Sequence, residues 1–191
     1  MTTMEALLGR RSIRKYRPDS VPKDLIRQIL DAGLYAANGG GHQIPHFIVL
    51  NGREKVRDFS EIVRAELALF DESIYLYESG TILKSRSDPD FDCSYGAPVM
   101  ILAAAPHAHG NSMADYCCSV QNMLNAAYAL GLGSCYMNCP HWTTRTCSVR
   151  EKLYSWGMKP EEDIFAGLVI GYADRLEGKA APRKEGRVIF V

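Results

Sequence analysis

Five of the eight residues from Arg10 to Arg17 (RRSIRKYR) are basic, and Ser12 and Tyr16 add hydroxyls to the same short stretch. That is the chemistry of a phosphate grip. Guanidinium groups pair with phosphate oxygens in bidentate fashion, a serine hydroxyl fills a third oxygen, and charge-assisted bonds are roughly twice as strong as neutral ones. A solvated basic loop is the alternative, which the segment by itself leaves open. A nucleic-acid surface is not supported, because the rest of the chain supplies no matching basic stripe.

The other reactive side chains are sparser. Cys93, Cys117, Cys118, Cys135, Cys139 and Cys147 contain no C-x-x-C spacing, so a zinc ribbon or a bacterial iron–sulfur cluster lacks its usual ligand geometry. They read as buried or half-buried thiols that pack like small hydrophobes. His42, His46, His107, His109 and His141 have no spacing that suggests a catalytic triad or a metal site. No metal is expected.

The elements that must position these residues follow from periodicity and punctuation. Met4 to Leu8 reads as a short helix ending at Gly9. Pro22 opens a helix carrying Leu25, Ile26, Ile29, Leu30 and Leu34 as far as Ala37, where the glycines at 39 to 41 stop it. His46 to Leu50 reads as a strand, and a helix with Val56, Phe59, Ile62 and Val63 follows. The stretch from about Glu66 to Tyr95, rich in aromatic residues, reads as a mobile cover or an interface element. Pro98 to Ala105 (PVMILAAA) is a continuous apolar strand of the kind buried on both faces. Ser112 and Asp115 form the Ser-x-x-acid start of a helix that ends at Gly131. A strand over Ser134 to Met137, a helix over Thr146 to Trp156, a strand over Ile164 to Tyr172 and a last short strand, RVIFV, complete the order. Helices alternating with buried strands predict a mixed sheet covered on both faces.

The totals set limits. A chain of 191 residues fits one domain, expected over 1–191. Lys plus Arg and Asp plus Glu are equal at 22 each, so no general field draws nucleic acid or an anionic membrane, and any anion site must be local. There is no apolar run of about 18 residues and no signal-peptide pattern, which makes a cytoplasmic protein with no membrane partner the expectation.

Several segments together resemble the FMN-dependent nitroreductase family, in its short, single-domain form. RRSIRKYR is similar to that family's opening Arg-Arg-Ser-x-Arg, and AANGGGHQIPHFIVL (36–50) to its Ala-Pro-Ser-Gly-x-Asn-x-Gln-Pro-Trp-x-Phe stretch. YGAPVMILAAA (95–105) resembles its Gly-Ala-Pro strand. DYCCSVQNMLNAAYALGLGSCY (115–136) resembles its Asp-x(5)-Gln-Asn helix and Gly-Leu-Gly exit, and GYADRLEGKAAPRK (171–184) its tail. Each motif is modest alone; five in the family's order cover nearly the whole chain.

The resemblance implies an α+β, three-layer fold, with a central mixed, mainly antiparallel sheet flanked by helices, in an intertwined homodimer with FMN at the interface. Arg10, Arg11 and Ser12 would hold the FMN phosphate and ribityl end, Arg183 would complete the phosphate cage, and Arg14 would lie toward the pyrimidine edge. Ala37, Asn38, Gly39, Gly41 and Gln43 would approach from the partner subunit, and the backbone around Gly133, Ser134, Asn138 and Cys139 would pass close to the ring. Because the chemistry belongs to FMN N5, no catalytic side chain is implied. NADH or NADPH would be the donor, and a nitroaromatic, a quinone or a similar electron-poor small molecule the acceptor, in a ping-pong cycle.

Departures from the pattern bear on the pocket. Gly41 stands where the family often has Asn, and Ile44-Pro45 replaces Pro-Trp, which implies a more open site. Asn138-Cys139 replaces a common Gly-Gly pair, and Tyr136 replaces Trp. Cys139 reads as a small packed side chain beside the flavin rather than a redox group. Tyr75 and Tyr77 would shape the substrate mouth or pack a dimer. Three alternatives stay open: a specialised reaction on the same scaffold (dehalogenation, enone reduction, flavin breakdown), a flavin-binding protein with little turnover, or an interaction protein with an empty site.

Overall fold

A computed structural model describes residues 1–175 and 180–191. Its elements are α1 (Thr3–Gly9), α2 (Lys23–Leu34), a 3-10 turn (Gly39–Gly41), β1 (His46–Asn51), α3 (Arg53–Leu67) and α4 (Ser79–Ser87). There follow β2 (Val99–Pro106), α5 (Ser112–Ala129), β3 (Gly133–Met137), α6 (Cys139–Trp142), α7 (Cys147–Ser155) and β4 (Glu162–Gly171). The four strands form one sheet in the order β1-β2-β4-β3. All three ladders are antiparallel, and among the described residues parallel pairing is confined to a single bridge, Ser12 with Ser134.

Strand β2 explains the layers. Successive side chains of a strand point to opposite faces. Met100, Leu102 and Ala104 therefore join Val56, Phe59 and Val63 of α3 and Val149 and Leu153 of α7 in one core. Val99, Ile101, Ala103 and Ala105 join Ile26 and Ile29 of α2 and Tyr116, Val120 and Met123 of α5 in the other. Every position from Val99 to Ala105 is fully buried, which is why the sequence shows an unbroken apolar run rather than alternation. The register slips between Ala103 and Ala104, and there the buried Tyr116 hydroxyl donates to Ala104 O.

Local signals account for most of the ends. Thr2 and Glu5 close a reciprocal capping box on α1. Helix α2 stops at Leu34, three residues before the expected Ala37. The stretch from 66 to 95 carries α4, whose Ile82 and Ser85 are buried. Arg86 ties that stretch together, donating to Ala68 O and Phe70 O and pairing with Glu72.

Three expectations fail. The Ser112–Asp115 capping box is absent: Ser112 Oγ donates to Pro106 O at 2.8 Å, and Asp115 Oδ1 accepts from Gly39 N at 2.9 Å. RVIFV forms no strand, and Val188 to Val191 are exposed; a strand exists only where a second backbone pairs with it. Cys117, Cys118 and Cys147 are exposed rather than buried. Among the described residues, no helix is long and apolar enough to cross a membrane.

Candidate functional site

The arginine-rich segment is fixed by its backbone. At Arg10, ψ of 138° turns the chain out of α1. Ser12 then bridges Ser134, and Ile13 N donates to Ser134 O at 2.9 Å. Tyr16 bridges Ala173, and Arg17 N donates to Tyr172 O at 2.9 Å. Ile13 lies so close on Gly133 that a Cβ there would meet Ile13 Cγ1 at 2.8 Å. The segment is thereby clamped between the start of β3 and the chain leaving β4, with Ile13 and Tyr16 turned inward. The Tyr16 hydroxyl donates to Ile13 O at 2.8 Å, and burial first, then Cys135 and Tyr95, push its pKa far above the usual phenol range. Tyr16 is a neutral wall.

The polar side chains gather on the side of this strip that carries Cys135. Arg10 Nε is buried and has no hydrogen-bond partner among the described residues. Arg11 Nη1 donates to Leu8 O and Arg10 O. The Arg14 guanidinium lies over the Tyr95 ring, 5.9 Å from its centre, and hydrogen-bonds its phenol. Burial nonetheless keeps the Tyr95 pKa above its ordinary value. The Cys135 thiol is likewise raised by burial, against the pull of Arg14, a hydrogen bond with Ser12 and the charge of Arg10. Arg10, Ser12 and Arg14 thus meet beside two residues that sequence reasoning missed, Tyr95 and Cys135. Tyr95 sits at φ 57°, a left-handed turn whose next amide, Gly96 N, donates to Asp92 at 2.7 Å. The Tyr-Gly-Ala-Pro order was the available signal.

A second group lies elsewhere. Gly40, Gly41 and Gln43 have φ of 65°, 67° and 50°, so the turn needs glycine where it has it. Asn38 organises it, accepting from Gln43 N at 3.0 Å and donating to Ala36 O at 3.3 Å. Gly39 is anchored to Asp115, while Ala37, Gly41 and Gln43 are exposed. Ser134, by contrast, leans on the other half of α5, its Oγ donating to Leu124 O at 3.4 Å. At about 1.5 Å per residue, the anchors Asp115 and Leu124 are about 14 Å apart along that helix. The two groups are therefore separate within one chain. Asn138 and Cys139 follow β3 at the start of α6, and Cys139 packs against the core that holds Cys135. Arg183 is exposed in the tail, bonded to Ala181 O at 3.2 Å; residues 176–179, which lead to it from Arg175, lie outside the described residues.

What this arrangement can do is hold an anion. A buried charged donor without a partner is costly, and two guanidiniums, a hydroxyl and a rigid backbone strip are suited to phosphate oxygens.

Comparison with known proteins agrees with that geometry. The family model described as the nitroreductase family matches residues 7–172. The chain belongs to the nitroreductase family. Its relatives include a Methanothermobacter thermautotrophicus protein, provisionally named NADH dehydrogenase/NAD(P)H nitroreductase, which is 29% identical over 90% of this chain and 78% of that one. A 4-nitrobenzoate reductase of a Nocardioides species is 25% identical over 87% of this chain and 78% of its own. Among solved structures, a Bacteroides fragilis nitroreductase with bound FMN superposes with a TM-score of 0.88 at 25% identity, covering 100% of this chain and 99% of that one. In this chain the Arg-Arg-Ser strip lies against β3, and the Asn-Gly-Gly-Gly turn at the other end of α5.

Proposed function

We propose that this nitroreductase-family chain is an FMN-dependent oxidoreductase. It would take electrons from NADH or NADPH and reduce nitroaromatic, quinone or similar electron-poor small molecules, as one domain over 1–191 and as a homodimer. The observation that carries the reading is the buried Arg10 Nε, without a partner among the described residues, on a segment anchored to β3 by its backbone. Leaving such a donor unpaired costs about 1–3 kcal/mol or more, which a phosphate dianion offsets. The Bacteroides fragilis relative supports the identity of the ligand, since that protein binds FMN.

Arg10, Arg11 and Ser12 would hold the phosphate, joined by Arg183. Ala37, Asn38, Gly39, Gly41 and Gln43 would reach FMN from the partner subunit, and Gly133, Ser134, Asn138 and Cys139 would line it through their backbone. When bound, FMN supplies the two-electron chemistry that a nicotinamide and then an acceptor would use in a ping-pong cycle. The chain's own contribution is positioning and charge. Arg14, braced on Tyr95, keeps a fixed cation where negative charge would grow, at no reorganisation cost. Two features support assembly of two copies: the separation of the two groups along α5, and a tail whose Val188, Ile189, Phe190 and Val191 are exposed and want cover.

Purified protein should carry yellow flavin. Under anaerobic conditions each nicotinamide in turn should bleach it, and a nitroarene or quinone should restore the colour. Flavin that neither nicotinamide bleaches would leave a binding protein with little turnover. Protein that takes up no FMN would overturn the reading.

A further inference from the structure

Three of the six thiols converge although they are far apart in the chain: Cys93 before β2, Cys135 on β3 and Cys139 at the first turn of α6 share one core. Within that group the Cys93 and Cys139 thiols are neighbours, each acting on the other's ionisation. They are not equivalent. Cys93 is 2% exposed, whereas Cys139 is partly exposed. The neighbouring Cys93 thiol favours ionised Cys139, while Cys139 and burial hold Cys93 itself well above the usual thiol range.

On its other side Cys93 faces a short polar chain. Its Sγ lies 3.1 Å from Ser60 Oγ, and Ser60 Oγ lies 2.5 Å from Asp92 Oδ1, to which it donates. Ser60 has one proton, committed to the carboxylate, so the proton between Ser60 and Cys93 is the one on Cys93. That proton therefore has two acceptors within reach, the Cys139 sulfur when it is ionised and Ser60 Oγ when Cys93 must release it. The chain ends in the open: Asp92 lines a cavity of about 550 Å³ together with Arg53, Arg57, Ser94 and Gly96.

We infer that Cys93 and Cys139 form a thiol–disulfide exchange site for low-molecular-weight disulfides, with Cys139 attacking, Cys93 resolving, and Ser60 with Asp92 carrying the resolving proton to solvent. In the first step the Cys139 thiolate attacks one sulfur of RS–SR; a Cys139–S–S–R bond forms, and RS⁻ leaves to be protonated by water. In the second, Cys93 Sγ attacks Cys139 Sγ while its proton passes to Ser60 Oγ and the Ser60 proton to Asp92, then to solvent. A Cys93–Cys139 disulfide forms and the second RS⁻ leaves. Two protein thiols are oxidised and one small disulfide is reduced to two thiols. This revises the expectation of Cys139 as inert packing, and no step in it uses flavin.

The experiment is incubation of the purified full-length protein, FMN-loaded and FMN-free, with oxidised glutathione, followed by acid quench, alkylation and non-reducing peptide mapping. The linked peptide pair containing Cys93 and Cys139 is expected in both preparations, so its appearance does not depend on the flavin assignment. Cys93→Ser should trap glutathione on Cys139, and Cys139→Ser should leave Cys93 unmodified. Ser60→Ala should slow closure of the trapped adduct at least about tenfold near neutral pH, with recovery as pH rises, because hydroxide then replaces the relay; a merely structural effect of Ser60 would not respond to pH. The inference is overturned if Cys139 stays reduced while the exposed Cys117, Cys118 and Cys147 react. It is equally overturned if wild-type protein keeps a stable glutathione on Cys139.

Discussion

Replacing Arg10 by alanine should separate two quantities that usually fall together, affinity for FMN and stability of the empty protein. Arg10 Nε is buried with nothing to donate to among the described residues, so its removal takes no hydrogen bond described in the apo state and relieves an unpaired donor. Apo stability should hold or rise by up to about 1 kcal/mol. A bond from a charged donor to phosphate is worth about 1.5–3 kcal/mol; the middle of that range, about 2.3 kcal/mol, raises Kd about 50-fold. With FMN at about 100 times the wild-type Kd, binding stabilises wild type by about 2.7 kcal/mol and the variant by about 0.7 kcal/mol. At about 3 °C per kcal/mol for a domain of this size, the FMN-induced rise in Tm should shrink from about 8 °C to about 2 °C. Thermal melts with and without FMN, paired with a flavin-fluorescence titration, measure both terms. An unchanged Kd, or an apo variant less stable by more than about 1.5 kcal/mol, would refute the assignment of that nitrogen to an anion.

Other consequences follow from contacts already described. Asp115→Ala should free the Gly39 amide, speeding its hydrogen exchange and costing about 1–3 kcal/mol in urea unfolding; an unaltered Gly39 exchange rate would show that Asp115 does not hold the turn. Gly133→Ala should push Ile13 and the arginine strip off β3, since its Cβ would fall 2.8 Å from Ile13 Cγ1. The expected losses are about 1–3 kcal/mol of stability and most of the bound flavin, read from denaturation and the absorbance spectrum. Burial would raise the Asp163 pKa, but hydrogen bonds and charge from Arg145 and Arg150 hold it below the usual carboxylate value. A carboxyl depressed on folding gives stability that is present above its unfolded pKa and lost as pH falls through the folded one. Asp163→Asn should therefore flatten the acid side of the stability curve below about pH 4, and a slope identical to wild type there would contradict this.

How far the sequence could be read depended on whether a feature was decided by neighbours in the chain. Strand β2 was legible because seven consecutive apolar residues admit only burial on both faces, and α1 because Gly9 stops it. Helix α4 was not, since Ile82 is buried while the adjacent Leu83 is half exposed, and no apolar stripe marks its face. The capping-box pattern at Ser112 and Asp115 correctly marked a helix start, yet Asp115 went to the distant backbone of Gly39 and Ser112 to that of Pro106. The arginine strip was legible as a phosphate grip, while its supports were not: Tyr95, Cys135 and the Ser60–Asp92 relay come from segments tens of residues away, and composition says that a cysteine is buried, not which group it faces. The RVIFV tail has strand chemistry and no partner strand among the described residues.

The bridge between Ser12 and Ser134 has a further consequence. Strand β3 is the last in the sheet, and an uncovered outer strand invites pairing with other chains and aggregation. The same few residues that offer their side chains to an anion also shield that rim with their backbone. Substitution can thus retune the ligand chemistry while the path of the main chain stays under selection for solubility, and diversification at this position should proceed by exchanging side chains rather than by remodelling the loop.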